Sequence, residues 1–374
     1  MPVTVRSFAK INLGLRIGPA RDDGFHELLT VYQTIGLHDV IRVSVSRGSR
    51  RGPEIEIRCA DPRVPANESN TCYRIVAKAL RIFKTNQRVL IEIEKRLPVQ
   101  GGLGGASANA VATLLALERA LKKSLPAAER LRIAAEVGSD LPLFLVGGAV
   151  LGVGRGEQVY PLPDLPQLAC VVVTPEVGVS TPNAFAEWDK QTGGAGGAAM
   201  AAASLEGGGR KPAELHSADG RGARPHTSNP HTGNSYTEPA KLTGLAPSDR
   251  MNELGRQLSA WLSELHLGAP SVRNERRGRH ENPLLALVRT GIANDFEQVV
   301  FPEYPELCEG KRALERAGAK YASLSGSGSA LYGLFASRSE ALRAVVRLRK
   351  QGWTAQATVT LPRKAYWQKF LVSS

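Results

Sequence analysis

The sequence predicts an α+β protein with two domains. The chain has 374 residues, which is ample for two buried cores. Strand-like and helix-like patterns occur in both halves without a strict βαβ alternation, and the pattern restarts after about residue 160. We therefore expect one domain over residues 1–160 and a second over residues 161–374.

The first domain is predicted to begin with two extended segments within residues 3–17. Apolar residues occupy every odd position from Ile11 to Ile17, which is the period of a half-buried strand, so the polar residues between them should point away from the core. These polar residues are Lys10, Asn12 and Arg16. Further strands are predicted near 40–46, 53–58 and 88–95, and helices over 71–84 and 106–122.

The second domain is predicted from shorter patterns. Strands are expected over 168–174, 320–325, 329–335 and 353–360, and helices over 182–190, 251–265, 303–317 and 337–349. From about 193 to 249 the chain is rich in small and polar residues, with hardly any large apolar ones. Such a segment cannot bury enough surface to offset the entropy of ordering, so we expect a flexible insertion with solvated histidines.

The composition favours an anionic small-molecule ligand. A net charge of +13 suits nucleic acid, acidic membranes or phosphorylated metabolites, but the aromatic residues, 6% of the chain, do not interleave with the basic ones as nucleic-acid binding would require. No apolar run is long enough to cross a bilayer, and the first residues lack a signal-peptide layout, so a cytoplasmic location is expected. The four cysteines lie far apart without metal-finger spacing, and the histidines form no H-x-x-x-H pair, so no transition-metal site is indicated.

A glycine-rich segment at residues 97–110, between a predicted strand and a predicted helix, is the strongest local signal. Glycines let backbone N–H groups approach an anion, and the start of a helix adds a positive dipole end. The segment lacks the G-K-[ST] of a Walker loop, so we expect a phosphate-binding loop of another type. The alternative is a tight turn with Ser107 as the helix cap.

Asp140 lies between a small-residue turn and an apolar run, in Gly138-Ser139-Asp140-Leu141-Pro142. An aspartate before a Leu-Pro start is typical of a helix N-cap. The alternative is a carboxylate at the edge of the core that accepts a proton or orients a hydroxyl. Taken alone, the local pattern favours the cap.

Two further segments combine polar or small residues with predicted strands. Residues 325–329, Ser-Gly-Ser-Gly-Ser, indicate either a glycine hairpin or a backbone approach to substrate or to the phosphate loop. Lys10 and Asn12 share the polar face of the first strand. A strand lysine is usually solvated, but Lys10 is the basic residue beside an asparagine on a strand that otherwise packs inward.

The order of these segments resembles the GHMP kinases. Ala9-Lys10-Ile11-Asn12-Leu13, the loop from Pro98 to Ala110 and the turn at 325–329 stand in the order of that family's three signatures. Residues 21–28 resemble the R-x-D-G-[YF]-H-x-L motif of the branch that phosphorylates a cytidine-diphosphate-linked erythritol. Further segments similar to that branch are Lys95-Arg96-Leu97-Pro98, Gly138-Ser139-Asp140, Ser180-Thr181 followed by Phe185, and Asn294-Asp295-Phe296-Glu297.

The resemblance implies a GHMP kinase fold, with a ribosomal protein S5-like N-terminal domain and a ferredoxin-like C-terminal domain. It implies transfer of the γ-phosphate of ATP, with Mg²⁺, to the 2-hydroxyl of the erythritol in the non-mevalonate route to isoprenoid precursors. Small molecules would be the partners, without nucleic acid or membrane, and the protein would be a monomer or weak homodimer.

The resemblance also implies the site residues. The base would be Asp140 with Lys10 as its partner, which suits an alcohol, a poor nucleophile that must lose its proton. ATP would contact Pro98, Gly101, Gly102, Leu103, Gly104, Gly105, Ala106 and Ser107, with Asn70 and Lys95 near the adenine. The other substrate would contact Asn12, Phe25, His26, Thr181, Phe185, Gly326 and Ser327.

The chain departs from the family pattern in its glycine loop and in the atypical insertion at 193–249. The family usually has a third glycine and then two serines where this chain has Ala106, Ser107 and Ala108. The extra methyl of Ala106 could crowd the phosphate loop, and the second hydroxyl is lost. The alternatives are another GHMP kinase acting on homoserine, mevalonate or a sugar, a basic nucleic-acid-binding protein on the same fold, and a catalytically silent homologue.

Overall fold

The computed structural model describes residues 2–48, 53–99, 101–192, 247–267, 282–289 and 291–372. The predicted insertion at 193–249 lies outside the described residues as far as residue 246. Its last three residues, 247–249, are the start of a helix rather than part of a loop.

A six-stranded sheet with four helices forms the first half. The elements are β1 (Val3–Ala20), β2 (His26–Ser46), β3 (Glu54–Cys59), α1 (Thr71–Ile82), β4 (Arg88–Glu94), α2 (Gly105–Leu121), α3 (Ala127–Val137), α4 (Leu141–Val146), β5 (Ala149–Val153) and β6 (Gln158–Pro161). The strand order is β3-β4-β2-β5-β6, with β1 paired to β2. The pair β3–β4 is parallel and is connected through α1, whereas the other neighbours are antiparallel.

A four-stranded antiparallel sheet with order β10-β7-β9-β8 organises the second half. The elements are β7 (Ala169–Val173), α5 (Thr181–Thr192), α6 (Pro247–Leu267), α7 (Pro283–Arg289), α8 (Glu297–Glu303), α9 (Pro305–Arg316), β8 (Tyr321–Leu324), β9 (Leu331–Phe335), α10 (Arg338–Lys350), β10 (Ala355–Val359) and α11 (Arg363–Phe370). The final helix returns to the first half, where the Tyr366 hydroxyl donates to the Phe144 carbonyl at 2.8 Å.

Most predicted elements are confirmed. The strand expected at 40–46 is the end of the much longer β2, and the helix expected at 303–317 begins at Pro305 after the separate helix α8. Several elements were not predicted because they are short or weakly periodic; they are α3, α4, α7, α8, α11, β5 and β6. The boundary at residue 160 stays a prediction.

The polar face predicted for β1 is buried as well as its apolar face. Lys10, Asn12 and Arg16 are 3%, 1% and 2% exposed. The second half covers this face, because Arg16 pairs with Asp295 at 2.8 Å and the Tyr332 hydroxyl donates to the Asn12 carbonyl at 2.8 Å. The alternation therefore separates an apolar face from a polar face, and neither is solvated.

Candidate active site

Both halves of the chain line one cavity of about 550 Å³. The structure brings all the sequence-predicted site residues to its walls. They are Lys10, Asn12, Phe25, His26, Asn70, Lys95, Pro98, Gly101, Gly102, Leu103, Gly104, Gly105, Ala106, Ser107, Asp140, Thr181, Phe185, Gly326 and Ser327. Residues that are up to 317 positions apart in the sequence, from Lys10 to Ser327, therefore share one site.

Lys10 and Asp140 form an ion pair at this cavity. The Lys10 Nζ lies 3.3 Å from Asp140 Oδ2, and it donates to Asn12 Oδ1 at 2.7 Å. The lysine side chain is 4% exposed, whereas the carboxylate is 30% exposed. Asp140 does precede a helix, α4, but its side chain makes no capping hydrogen bond. Asp140 therefore occupies the predicted N-cap position, but its side chain does not cap the helix, and the carboxylate stays accessible from the cavity.

The glycine loop between β4 and α2 packs against Lys10 of β1 and against the glycine turn at 325–329. Gly102 and Gly104 have φ values of +69° and +68°, in the left-handed region that favours glycine. A Cβ at Gly102 would lie 2.1 Å from the Ser325 carbonyl oxygen, and one at Gly104 would lie 3.0 Å from the Lys10 Cγ. Side chains at these positions would therefore push the loop off the second half and off the lysine.

The loop and the glycine turn at 325–329 are joined by hydrogen bonds. The Ser325 hydroxyl donates to the Gly102 carbonyl at 3.0 Å, and the Ala330 N–H donates to the Gly101 carbonyl at 3.1 Å. The Lys10 N–H donates to the Leu103 carbonyl at 3.0 Å. The turn therefore makes the backbone approach to the loop that was one of the two sequence alternatives.

The start of α2 gives the loop the positive end of a helix. The cap residue is Gly104 without a side-chain hydrogen bond, so the alternative of a Ser107 cap is wrong. Ala106 is exposed on the first turn, while Ala108 is buried in the core of the first half. The extra methyl of Ala106 therefore lies at the surface of the cavity.

Asn70 and Lys95 line the cavity, but their polar atoms already have partners. Asn70 caps α1 by accepting from the Cys72 N–H at 2.8 Å, and it donates to the Pro65 carbonyl. The Lys95 Nζ donates to Asp39 Oδ2 at 2.8 Å and to the Leu97 carbonyl at 2.7 Å. Both side chains therefore hold the protein itself together at this end of the cavity.

Aromatic rings line a further part of the cavity. The His26 ring is stacked on Phe185, with centroids 5.0 Å apart, and Phe185 meets Phe296 edge-on at 4.9 Å. The Arg155 guanidinium lies over Phe25 at 4.9 Å. The His26 Nε2 is 2.7 Å from Asp189 Oδ1, which fixes the orientation of the imidazole.

The second half adds hydroxyl groups near the glycine turn. Thr181, the first residue of α5, has its Oγ1 2.7 Å from the Ser327 Oγ. The turn itself is held by Asn294, whose amide donates to the Leu324 and Gly326 carbonyls at 2.9 and 2.7 Å. The Asn-Asp-Phe-Glu segment therefore positions the turn that touches the loop.

Among the polar residues that sequence reasoning missed are Tyr32, which lines the cavity, and two buried aspartates that bond to residues lining it. The Tyr32 hydroxyl donates to Asp140 Oδ1 at 3.0 Å, Asp39 pairs with Lys95, and Asp189 pairs with His26. Burial, reinforced by the negative charge of Asp140, raises the pKa of Tyr32 well above its usual value. None of the three carries a local motif, because each finds its partner far away in the sequence.

A glycine loop at a helix start, a buried lysine paired with an accessible carboxylate, and a glycine turn that touches the loop form the site of a small-molecule phosphotransferase. Residues 70–148 match the family GHMP kinases N terminal domain, and residues 279–352 match GHMP kinases C terminal.

Within the described residues, no cluster of three or more His, Cys, Asp or Glu side chains could hold a metal ion. No described helix is both long and apolar enough to span a membrane.

Whole-chain relatives narrow the class. A 4-diphosphocytidyl-2-C-methyl-D-erythritol kinase of Solibacter usitatus is 31% identical over 368 residues, covering 98% of this chain and 92% of the relative. The same-named kinase of Acaryochloris marina is 32% identical, covering 90% of this chain and 88% of the relative. The chain therefore belongs to the GHMP kinases, in the 4-diphosphocytidyl-2-C-methyl-D-erythritol kinase family, and it is an ATP-dependent kinase.

Solved structures agree on the two-domain fold. A crystal structure of 4-(cytidine 5'-diphospho)-2C-methyl-D-erythritol kinase has a TM-score of 0.61 and 25% identity, and the match covers 96% of this chain and 98% of the other. A homoserine kinase from Cytophaga hutchinsonii, at 17% identity with 96% and 95% coverage, has a TM-score of 0.59. The L. major mevalonate kinase, at 14% identity with the same coverages, has a TM-score of 0.60. At such low identity, the last two comparisons bear on the fold alone.

Proposed function

We propose that this protein transfers the γ-phosphate of ATP to the 2-hydroxyl of 4-diphosphocytidyl-2-C-methyl-D-erythritol, in the non-mevalonate route to isoprenoid precursors. The names of the whole-chain relatives support this acceptor. The observation that carries the chemistry is the pair of Lys10 and Asp140, 3.3 Å apart, next to the glycine loop. An accessible carboxylate beside a buried ammonium group is suited to deprotonating an alcohol.

Asp140 is the proposed base. As the acceptor oxygen attacks the γ-phosphorus, its proton passes to Asp140, while the bond between the γ-phosphorus and the ADP oxygen breaks. The Lys10 ammonium stabilises the negative charge that builds up on the attacking oxygen. Asn12 Oδ1 accepts a hydrogen bond from Lys10 and so fixes the direction of the ammonium group.

The proposed phosphate site is the glycine loop with the start of α2. Backbone N–H groups and the helix dipole suit the phosphates of ATP. Mg²⁺ prefers oxygen ligands and keeps several waters, so the absence of an acidic cluster among the described residues is compatible with it. The Ser107 hydroxyl, which lines the cavity, offers such an oxygen. When bound, Mg²⁺ neutralises charge on the phosphates.

The cytidine end of the acceptor is proposed to lie against Phe25, His26 and Phe185. Aromatic faces suit a pyrimidine, and an imidazole nitrogen can hydrogen-bond its edge. Thr181, Ser327 and Gly326 then face the remainder of the acceptor. We further propose that the protein is cytoplasmic and is a monomer or weak homodimer. We propose that it binds no nucleic acid, since its positive charge suits the small anionic ligands.

ADP release from purified protein with Mg-ATP and the cytidine substrate tests the proposal. The wild type should turn over, and Asp140→Asn should lower kcat by about 100-fold or more, the usual contribution of a general base. The matched control is Glu136→Gln, which neutralises an exposed carboxylate of α3 that pairs with Lys78 and does not line the cavity. It should leave kcat within about twofold.

Two outcomes would contradict parts of the proposal. Homoserine, mevalonate or a sugar replacing the cytidine compound as the preferred acceptor in a substrate panel would contradict the acceptor. Undiminished activity of Asp140→Asn would contradict the assigned base and leave the kinase class intact.

A further inference from the structure

Tyr32 touches both members of the proposed catalytic pair, although no sequence motif marks it. Its hydroxyl lies 3.0 Å from Asp140 Oδ1, and the Lys10 Nζ lies 5.6 Å from the centre of its ring. The residue lies on β2, opposite Asn12 on β1 and beside Val150 on β5. The tyrosine is 2% exposed, so its hydroxyl is buried together with its ring.

The β5–β6 hairpin leaves room for this side chain at two glycines. A Cβ at Gly152 would lie 2.5 Å from the Tyr32 Cε2, and a Cβ at Gly156 would lie 2.5 Å from the Tyr32 hydroxyl oxygen. Gly156 also has a φ of +96°, which disfavours any other residue. The two glycines therefore leave space for the Tyr32 ring and hydroxyl, and Asp140 accepts the hydrogen bond of that hydroxyl.

The direction of the hydrogen bond follows from the chemistry. An ionised carboxylate can only accept, so the phenol must donate. Burial and the charge of Asp140 raise the pKa of Tyr32, so the phenol keeps its proton throughout the neutral range. The other charged groups around the contact are Lys10 on β1 and Glu157 and Arg155 on the β5–β6 turn.

We propose that Tyr32 is a positioning residue for the catalytic carboxylate. The Tyr32 hydroxyl donates to Oδ1 of Asp140 and so directs Oδ2 towards Lys10. In the proposed reaction, Oδ2 is the atom that accepts the proton of the substrate hydroxyl. Tyr32 neither gains nor loses a proton in the cycle. This inference rests on the proposed function through the role of Asp140.

Tyr32→Phe in the full-length protein is the test, because it removes the hydroxyl and keeps the ring. We expect kcat to fall by about 10-fold, in the range for one lost hydrogen bond to a charged group, with both KM values within about twofold. A role in stability alone would lower the midpoint of urea unfolding and would leave kcat of the folded enzyme unchanged.

Tyr366→Phe is the matched control, since it also removes one buried tyrosine hydroxyl bond, to the Phe144 carbonyl at 2.8 Å. It should leave kcat within about twofold. A kcat that stays at the wild-type value in Tyr32→Phe, or that falls equally in both variants, would overturn the proposal.

A readout without substrate tests the contact separately from the identity of the acceptor. In protein with ¹³C-labelled tyrosine rings, the resonance that Tyr32→Phe removes identifies Tyr32. Because the charge of Asp140 contributes to the raised pKa of Tyr32, Asp140→Asn should lower the pKa of this phenol, whereas Glu136→Gln should leave it in place. An unchanged pKa in Asp140→Asn would overturn the inference, whereas a wild type that ignores the cytidine substrate but shows this change would overturn only the proposed acceptor.

Discussion

Two lysines that line the cavity, Lys10 and Lys95, each pair with an aspartate, but the two aspartates differ in burial and in their hydrogen bonds. Asp39 is fully buried and accepts four hydrogen bonds, from the Lys95 Nζ, the Asn109 amide and the N–H groups of Arg96 and Leu97, all at 2.7 to 2.9 Å. Asp140 is 30% exposed, accepts from Tyr32 at 3.0 Å and lies 3.3 Å from Lys10.

This difference in hydrogen bonding makes Asp39 and Lys95 an anchoring pair, whereas Asp140 and Lys10 form a reactive pair. A carboxylate with all its lone pairs occupied by donors is held as an anion and binds two chain segments together. Asp39 in this way connects residues 95–97, which lead from β4 into the glycine loop, to Asn109 of α2. A carboxylate with free capacity and access to the cavity can accept a proton from a bound alcohol. The number of donors therefore distinguishes the two roles, although the residue types do not.

The largest expected effect comes from breaking the reactive pair. Lys10→Met should lower kcat by about 100-fold or more, because one charge-stabilising donor in an active site contributes that much. Stability should fall by only about 1 kcal/mol, because the change leaves Asn12 Oδ1 without its donor while Asp140 keeps Tyr32 and water. Steady-state kinetics and urea unfolding measure both quantities, and a large loss of stability with normal kcat would contradict the reactive role.

The reverse pattern is expected from breaking the anchoring pair. Lys95→Met should destabilise the fold by about 3 kcal/mol, since it leaves a fully buried carboxylate without its cation. At saturating ATP, kcat should stay within about threefold, because Lys95 faces no reacting atom in the proposed chemistry.

Lys78→Met is the control for Lys95→Met. It breaks a surface pair with Glu136 of nearly the same length, 2.7 Å against 2.8 Å for Lys95 and Asp39, and should cost less than about 1 kcal/mol. Urea unfolding of both variants checks this contrast, and equal losses would mean that Asp39 does not need its cation.

The smallest expected effect appears at alkaline pH. Folding raises the pKa of Tyr32, so its contribution to stability is complete below the unfolded value of about 10 and is lost as the pH rises above it. Above pH 10 the wild type should lose about 1.4 kcal/mol more per pH unit than Tyr32→Phe. Urea unfolding between pH 8 and pH 11 measures the difference, and parallel curves would contradict the buried phenol.

The sequence is informative where the chemistry uses local backbone shape. The glycine loop and the glycine turn could be predicted because left-handed glycines and helix starts leave a mark within a few residues. Lys10 and Asn12 were identified from the alternation of β1, and Asp140 only through its resemblance to a family motif. The local pattern favoured a cap for Asp140, since a cap and a base look alike until the folded chain places Lys10 and Tyr32 beside it.

The residues that the sequence did not reveal have long-range partners. Tyr32 and Asp39 lie in the early and middle part of β2, and only its end, from residue 40, was predicted as strand. Asp39 contacts Lys95, which follows the paired strand β4, and Asn109 of α2, while Tyr32 contacts Asp140 at the start of α4. No local pattern encodes such contacts, because they depend on the register of the sheet and on how the helices pack against it.

The position of β1 has a consequence for how the protein is made. Its Leu15 N–H donates to the Ala293 carbonyl at 3.0 Å, and near its start Val5 bridges Leu371. A ribosome therefore releases this strand hundreds of residues before the segments that complete its pairing. The pairing of β1, the strand that carries Lys10, is complete only when almost the whole chain has been synthesised. A truncated product would therefore expose an unpaired edge of β1, which can aggregate or be recognised by the quality-control machinery of the cell.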